Sequence, residues 1–341
     1  MDKIVRPENL ATLLMRYFHS SEPLATDQPS ILKLADFVNS DPSWNESLDV
    51  GYLFHVVNQL VNQGLLVDLG GVALDRLYMG RGFSETNAEY GTYENRVGGP
   101  IEIFRRHSGS VSPVLVKDSN NDDGLGTGFF LGNANTFVTA RHVVEGMQSV
   151  KVLDAKGKPR NIIRISYHAN PNIDLAVFLL EAEAALTAPL TAPLTAPPFR
   201  KSSHVLGESI LSIGFPPVPG FDRLTVLEHG EIGSEIKVMN GEVVSNGSNY
   251  LEATEYFLVN ARVKGGSSGA PVLNRDGFVV GVVASTAISS ASSDTLDGFG
   301  YGIITPASHL DDLLKEEMRH DVEFVELSDN GEIKTALERP L

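Results

Sequence analysis

The 341-residue chain contains no cysteine. That excludes disulfides and thiolate metal sites and fits a reducing compartment. No apolar run reaches the roughly 18 residues that a membrane-spanning helix needs. The N-terminus, Met1-Asp2-Lys3-Ile4-Val5-Arg6-Pro7-Glu8, lacks the charged-then-apolar pattern of a secretory signal. The expectation is therefore a cytoplasmic protein that does not associate with membranes. Basic residues are also scarce: 27 Lys and Arg against 43 Asp and Glu leave a net charge of −16. Affinity for nucleic acid comes mostly from neutralising phosphates, so nucleic acid is not an expected partner. No metal or cofactor motif stands out, and none is expected. The length exceeds what one small core holds, which predicts two domains.

What is present centres on Lys264-Gly265-Gly266-Ser267-Ser268-Gly269-Ala270-Pro271-Val272, between two strand-like runs, Tyr256–Val263 and Phe278–Ala284. Glycines flanking a serine allow tight backbone angles and close approach to a substrate. In that geometry the N–H groups of Gly266 and Ser268 stabilise a developing oxyanion. A serine hydroxyl is a weak nucleophile alone and needs a histidine base oriented by a carboxylate. Thr136-Phe137-Val138-Thr139-Ala140-Arg141-His142 places a histidine at the end of a strand-like run, and Asn172-Ile173-Asp174-Leu175-Ala176-Val177 places an aspartate at the head of another. His142, Asp174 and Ser268 are the candidate catalytic residues. Asp154 and Asp222 are the fallback carboxylates, and Ser267 is the fallback nucleophile.

On these three motifs, in the order His142, Asp174, Ser268, residues 108–316 resemble the trypsin-like (S1) serine peptidases, most nearly the HtrA-type branch. Ile213-Gly214-Phe215-Pro216 is similar to that branch's turn opening the second barrel, and Gly300-Tyr301-Gly302-Ile303 with Pro306 to its closing strand. The resemblance implies an all-β double-barrel, chymotrypsin-like fold and a serine endopeptidase acting on a protein or peptide substrate. It implies a substrate pocket involving Arg262, or an apolar one involving Thr286, Ile288 and Phe299. Two departures accompany it. Ser267 stands where zymogen-activated relatives carry an aspartate, and Ala284 where many relatives carry a serine. No PDZ-like extension is expected after the closing helix. The alternative function is a protease-fold binding module with little turnover.

Residues 1–98 read differently. Pro7–Phe18, Ser30–Val38 and Leu48–Gln63 carry helical patterns, and Leu65–Leu74 reads as a short hairpin at Gly70-Gly71. Three helices and a hairpin resemble a winged helix. The third helix has no Lys or Arg, and residues 1–98 hold seven basic against thirteen acidic residues. The expected partner of this domain is therefore a protein, not DNA. The expected organisation is a small, mainly helical, winged-helix-like interaction domain over 1–80, a linker over 81–107, the protease domain over 108–316 and a tail over 317–341. The Thr-Ala-Pro repeat of Thr187–Pro197 is expected to be an extended spacer.

Overall fold

The computed structural model describes residues 6–19, 31–44, 47–153, 159–181, 198–217, 225–227, 230–232, 235–249, 254–261, 263, 266–284, 301–313, 315, 319–327 and 333–335. The chain divides into two compact units, Met1–Ile103 and Phe104–Leu341.

In the first unit, apolar residues four apart put Leu10, Leu14 and Phe18 on one face of α1 (Leu10–His19). They pack into a core with Phe37 of α2 (Leu34–Asn39), Val57 and Leu60 of α3 (Val50–Asn62), and Tyr78. Asp49 caps α3, its side chain accepting from the Tyr52 N–H at 3.0 Å. Three short antiparallel strands, β1 (Ile31–Lys33), β2 (Leu66–Gly70) and β3 (Leu77–Gly80), form a sheet in the order β1-β3-β2. The expected second helix thus starts late, because residues 31–33 pair with β3 first. The expected turn at Gly70-Gly71 is followed by a 3-10 turn, Ala73–Asp75, before the return strand begins.

The stretch read as a linker, 81–107, is mostly helical instead, from Glu85 onward. Ser84 caps α4 (Glu85–Tyr90), Gly91 ends it at φ 83°, and α5 (Thr92–His107) follows at once. Gly99 breaks the helical backbone of α5 at φ 61° and ψ −149°, and Pro100 opens the next helical turn, where its missing N–H costs nothing. Gly91 therefore marks a helix end, and Gly99 with Pro100 a kink. Glu94 of α5 is buried, and its carboxylate takes the Thr12 N–H at 2.8 Å and the Thr12 hydroxyl at 2.9 Å.

The second unit holds two β-systems. One is a sheet built from β4 (Val111–Lys117), β5 (Asp123–Phe130), β6 (Thr136–Thr139), β7 (Ser149–Leu153), β8 (Pro159–Arg160), β9 (Ile162–His168) and β10 (Ala176–Leu180), in the order β9-β10-β6-β5-β4-β7-β8. Only Asn161 separates β8 from β9, so the two ends of this run of strands lie together and the sheet curls round Val114, Phe130, Phe137 and Phe178.

The other system is a closed six-stranded barrel, β11-β14-β15-β18-β17-β16. Its strands are β11 (Ser209–Gly214), β14 (Lys237–Asn249), β15 (Thr254–Val259), β16 (Pro271–Asn274), β17 (Val279–Val283) and β18 (Gly302–Pro306). Phe257, Val259, Val272 and Ile304 fill it. A separate hairpin joins β12 (Thr225–Leu227) to β13 (Gly230–Ile232), and the helix α7 (His309–Leu313) follows β18.

The expected pair of barrels is thus one closed barrel and one curled sheet. The sheet stays open because β19 (Arg319–Leu327), from the region read as a tail, pairs antiparallel with β9 from Arg319↔His168 to Glu323↔Arg164. With β20 (Ile333–Thr335) this extends the sheet to nine strands.

Candidate active site

Strand register brings His142 and Asp174 together. β10 runs antiparallel to β6 with Ala176 opposite Thr139. Asp174, two residues before Ala176, and His142, three residues after Thr139, therefore emerge at the same sheet edge. His142 lies in the short helix α6 (Arg141–Val144), entered through extended backbone at Ala140. The Asp174 turn is built by its neighbours: Asn170 Oδ1 accepts from the Asn172 N–H at 3.0 Å, and Ile173 N–H donates to the Asn170 carbonyl at 3.1 Å. Buried Ile173 and Leu175 anchor it on either side. The outcome is a bidentate contact. Asp174 Oδ2 lies 2.7 Å from His142 Nδ1, and Asp174 Oδ1 accepts from the His142 backbone N–H at 2.9 Å.

The serine loop belongs to the barrel, between β15 and β16, and is stitched to the histidine sheet. Gly269, at φ 83°, lies so close to that sheet that a Cβ on it would come within 2.2 Å of the Thr127 carbonyl oxygen and 2.8 Å of the Ala140 nitrogen. Ala140 is two residues from His142. Thr127 N–H donates to the Ser268 carbonyl at 2.9 Å, and Gly269 N–H donates to the Val283 carbonyl at 2.8 Å. On the other side the Tyr256 hydroxyl donates to the Asn172 carbonyl at 3.0 Å, tying β15 to the Asp174 turn.

Ser267 is fully buried, with its hydroxyl 3.4 Å from Met239 Sδ, whereas Ser268 is partly exposed. Of the two serines, Ser268 is the one open to a substrate. Among the described residues, the N–H groups of Gly266 and Ser268 have no acceptor, and no hydrogen bond joins the Ser268 hydroxyl to the His142 ring. Arg262 and Thr286, the candidate pocket residues, lie outside the described residues, as do Ile288, Phe299, Asp154, Asp222 and the Thr-Ala-Pro repeat.

Sequence reading missed Thr127. No local pattern marks it, because the partners of Thr127 lie 88 and 139 residues away. Sequence reading also missed a cluster on the far side of the β9–β10 connection: His168, His309 and Asp312 place one ligand-type atom each within 4.8 Å of one another. A metal does not suit this donor set. His168 Nδ1 accepts from the Asn170 N–H at 3.1 Å, so the proton of the neutral ring sits on Nε2, the atom facing Asp312. A ligating histidine uses the opposite arrangement, with its second nitrogen donating. Lys315 Nζ, 3.1 Å from Asp312 Oδ1, already supplies a positive charge there.

Residues 126–282 match the family described as the trypsin-like peptidase domain. A probable periplasmic serine endoprotease, DegP-like, from Chlamydia pneumoniae is 28% identical over 208 residues, covering 59% of this chain and 36% of the relative. Protease Do-like 5, chloroplastic, from Arabidopsis thaliana is 28% identical over 200 residues, covering 54% of this chain and 55% of the relative. The chain thus spans between about a third and just over half of these relatives. Among solved structures, the Rv3671c protease from M. tuberculosis in its active form aligns with a TM-score of 0.45 at 21% identity, covering 62% of this chain and 82% of that one.

The relatives overturn the cytoplasmic expectation, since they are named periplasmic and chloroplastic. That expectation rested on missing cysteines and a missing signal pattern, and a chain without cysteine is equally at ease in an oxidising compartment. Residues 126–282 thus match a trypsin-like peptidase domain, and the chain is similar to proteins named as serine proteases of the DegP and Do type.

Proposed function

We propose that the protein is a serine endopeptidase in which His142, Asp174 and Ser268 act as a unit. The observation that carries this reading is the two-point hold of Asp174 on His142, on a sheet edge against which the Ser268 loop packs through Gly269. With its Nδ1 proton donated to Asp174, the imidazole keeps Nε2 unprotonated and able to act as a base. Ser268 Oγ attacks the substrate carbonyl carbon while its proton passes to His142 Nε2. The carbonyl electron pair moves onto oxygen, where the N–H groups of Gly266 and Ser268 receive it. Collapse breaks the C–N bond, and the leaving amine takes the proton from His142. Water then repeats the sequence on the acyl-enzyme, with His142 again accepting and returning the proton. Ser268→Ala is expected to lower peptide turnover by a factor on the order of 10⁶, and adding His142→Ala should cost little more. Undiminished cleavage by Ser268→Ala protein would move the nucleophile elsewhere.

The first unit supports a winged-helix-like interaction domain. Its order, α1-β1-α2-α3-β2-β3 with a three-stranded sheet, has the helices and hairpin that such a domain needs. Its third helix, Val50–Asn62, carries no Lys or Arg. A protein partner, and control of the protease by that partner, is the role it fits. If a chain beginning at Phe104 and the full chain cleave one peptide at the same rate with and without candidate partners, control by this unit is excluded.

A second reading, a binding module with little turnover, is favoured by one observation. Among the described residues, the Ser268 hydroxyl makes no hydrogen bond to His142. Such contacts tighten in substrate complexes, so turnover measurement decides between the two readings.

A further inference from the structure

Thr127 belongs to β5, in the sheet that carries His142 and Asp174, yet three of its polar contacts reach across to the barrel. Its backbone N–H donates to the Ser268 carbonyl at 2.9 Å. Its hydroxyl donates to the Gly266 carbonyl at 2.6 Å and accepts from the Phe215 N–H at 2.9 Å. Its own carbonyl accepts from the hydroxyl of Thr139 on the histidine strand at 2.7 Å. Thr127 is fully buried, so none of these contacts is exchanged with water.

The two carbonyls that Thr127 holds belong to residues 266 and 268 and bracket the peptide between 267 and 268. That peptide carries the Ser268 N–H. Any residue except proline supplies the N–H contact to Ser268. The hydroxyl contact is different, since one atom must accept from Phe215 and donate to Gly266. At that distance from the backbone only serine or threonine has such an atom. The hold matters because Gly266 sits at φ 86° and, lacking a Cβ, crosses between backbone conformations with little resistance. A rotation there would turn an N–H group away from the reacting carbonyl.

We propose that Thr127 is a positioning residue for the oxyanion site: its hydroxyl, bridging the Phe215 N–H and the Gly266 carbonyl, holds the Gly266–Ser268 loop with both N–H groups available to the developing negative charge. The inference rests on the peptidase reading above.

The test compares Thr127→Val, which keeps the shape and removes the hydroxyl, with Thr127→Ser, which keeps the hydroxyl. In Thr127→Val, kcat should fall about 10- to 100-fold, less than the 10²–10³ lost on deleting an oxyanion donor outright. KM should stay within about twofold, because ground-state binding does not use these donors. Inhibition by a peptide aldehyde, which forms a tetrahedral adduct, should weaken by the same factor as kcat. Thr127→Ser should recover most of the loss. Wild-type kcat in Thr127→Val, or equal damage in both variants, overturns the proposal, since equal damage means that the methyl group's packing is what counts.

Amide hydrogen exchange over residues 213–217 and 266–270 of the full chain gives a reading that needs no turnover. Exchange should quicken in Thr127→Val and not in Thr127→Ser, and equal exchange in both overturns the proposal. If the wild-type chain cleaves nothing, the peptidase reading fails while the exchange comparison still decides the role of Thr127. Should Thr127→Val not fold, Thr127→Ala carries the same comparison.

Discussion

Asp174 holds His142 at two points, the ring through Nδ1 at 2.7 Å and the backbone through its N–H at 2.9 Å. One carboxylate thus fixes both the tautomer of the ring and the start of the short helix that carries it. Asp174→Asn keeps the shape and removes the charge. An amide in its place can present its NH₂ to Nδ1 and move the ring proton to Nε2, the wrong atom for a base. A loss of about 10⁴ in kcat at neutral pH is the expected outcome. Steady-state kinetics on a peptide substrate checks it, and a loss under tenfold would show that another group orients His142.

Gly269 tests how closely the two β-systems must approach. At φ 83° a side chain is strained by about 1–2 kcal/mol, and its Cβ would overlap the Thr127 carbonyl oxygen at 2.2 Å and the Thr139 hydroxyl at 2.3 Å. Gly269→Ala should therefore destabilise the protein by about 2–5 kcal/mol, strain and overpacking together, and abolish cleavage. Urea denaturation measures the first effect. A change under about 0.5 kcal/mol would mean that the loop packs more loosely against the histidine sheet than it does here.

His168 gives the protein a stability dependence on the acid side. Burial first, and the neighbouring His309 second, hold its imidazole below the ordinary value of 6.5, against the opposing pull of Asp312. A histidine that is harder to protonate in the folded state stabilises the fold fully above the unfolded value. That stability is lost as the pH falls through the lowered folded value. Protonation would also place a hydrogen on Nδ1, where the Asn170 N–H now donates, in the turn that leads to Asp174. The urea midpoint should therefore fall as the pH is lowered from about 7.5 to 5. His168→Gln should flatten that slope, and an unchanged slope in the variant would assign the acid sensitivity to other groups.

How much of this could be read from the chain depends on how local each signal is. His142, Asp174 and Ser268 sit in short runs whose residue types state their own chemistry, and the strands that carry them alternate or run apolar within a few residues. Thr127 had no such mark, because its importance comes from Phe215 and Gly266, which only the folded chain brings near. The error at residues 81–107 was of another kind. Glycine-rich composition suggests a linker, but the left-handed Gly91 ends one helix and Pro100 starts a helical turn. The curled sheet was expected to close as a barrel because the pairing of β19 with β9 joins segments about 150 residues apart, which no local pattern announces. The pocket residues Arg262 and Thr286 gain nothing from the structure, since both lie outside the described residues.

The central claim is that Ser268 is a nucleophile activated by His142. Reacting the purified full chain with a fluorophosphonate and locating the adduct by peptide mass spectrometry tests it most directly, because only an activated serine hydroxyl displaces the fluoride. The account predicts a single stoichiometric adduct on Ser268, lost in His142→Ala protein and unaffected in Ser267→Ala protein. An unlabelled Ser268 in protein shown to be folded, or equal labelling with and without His142, would contradict it.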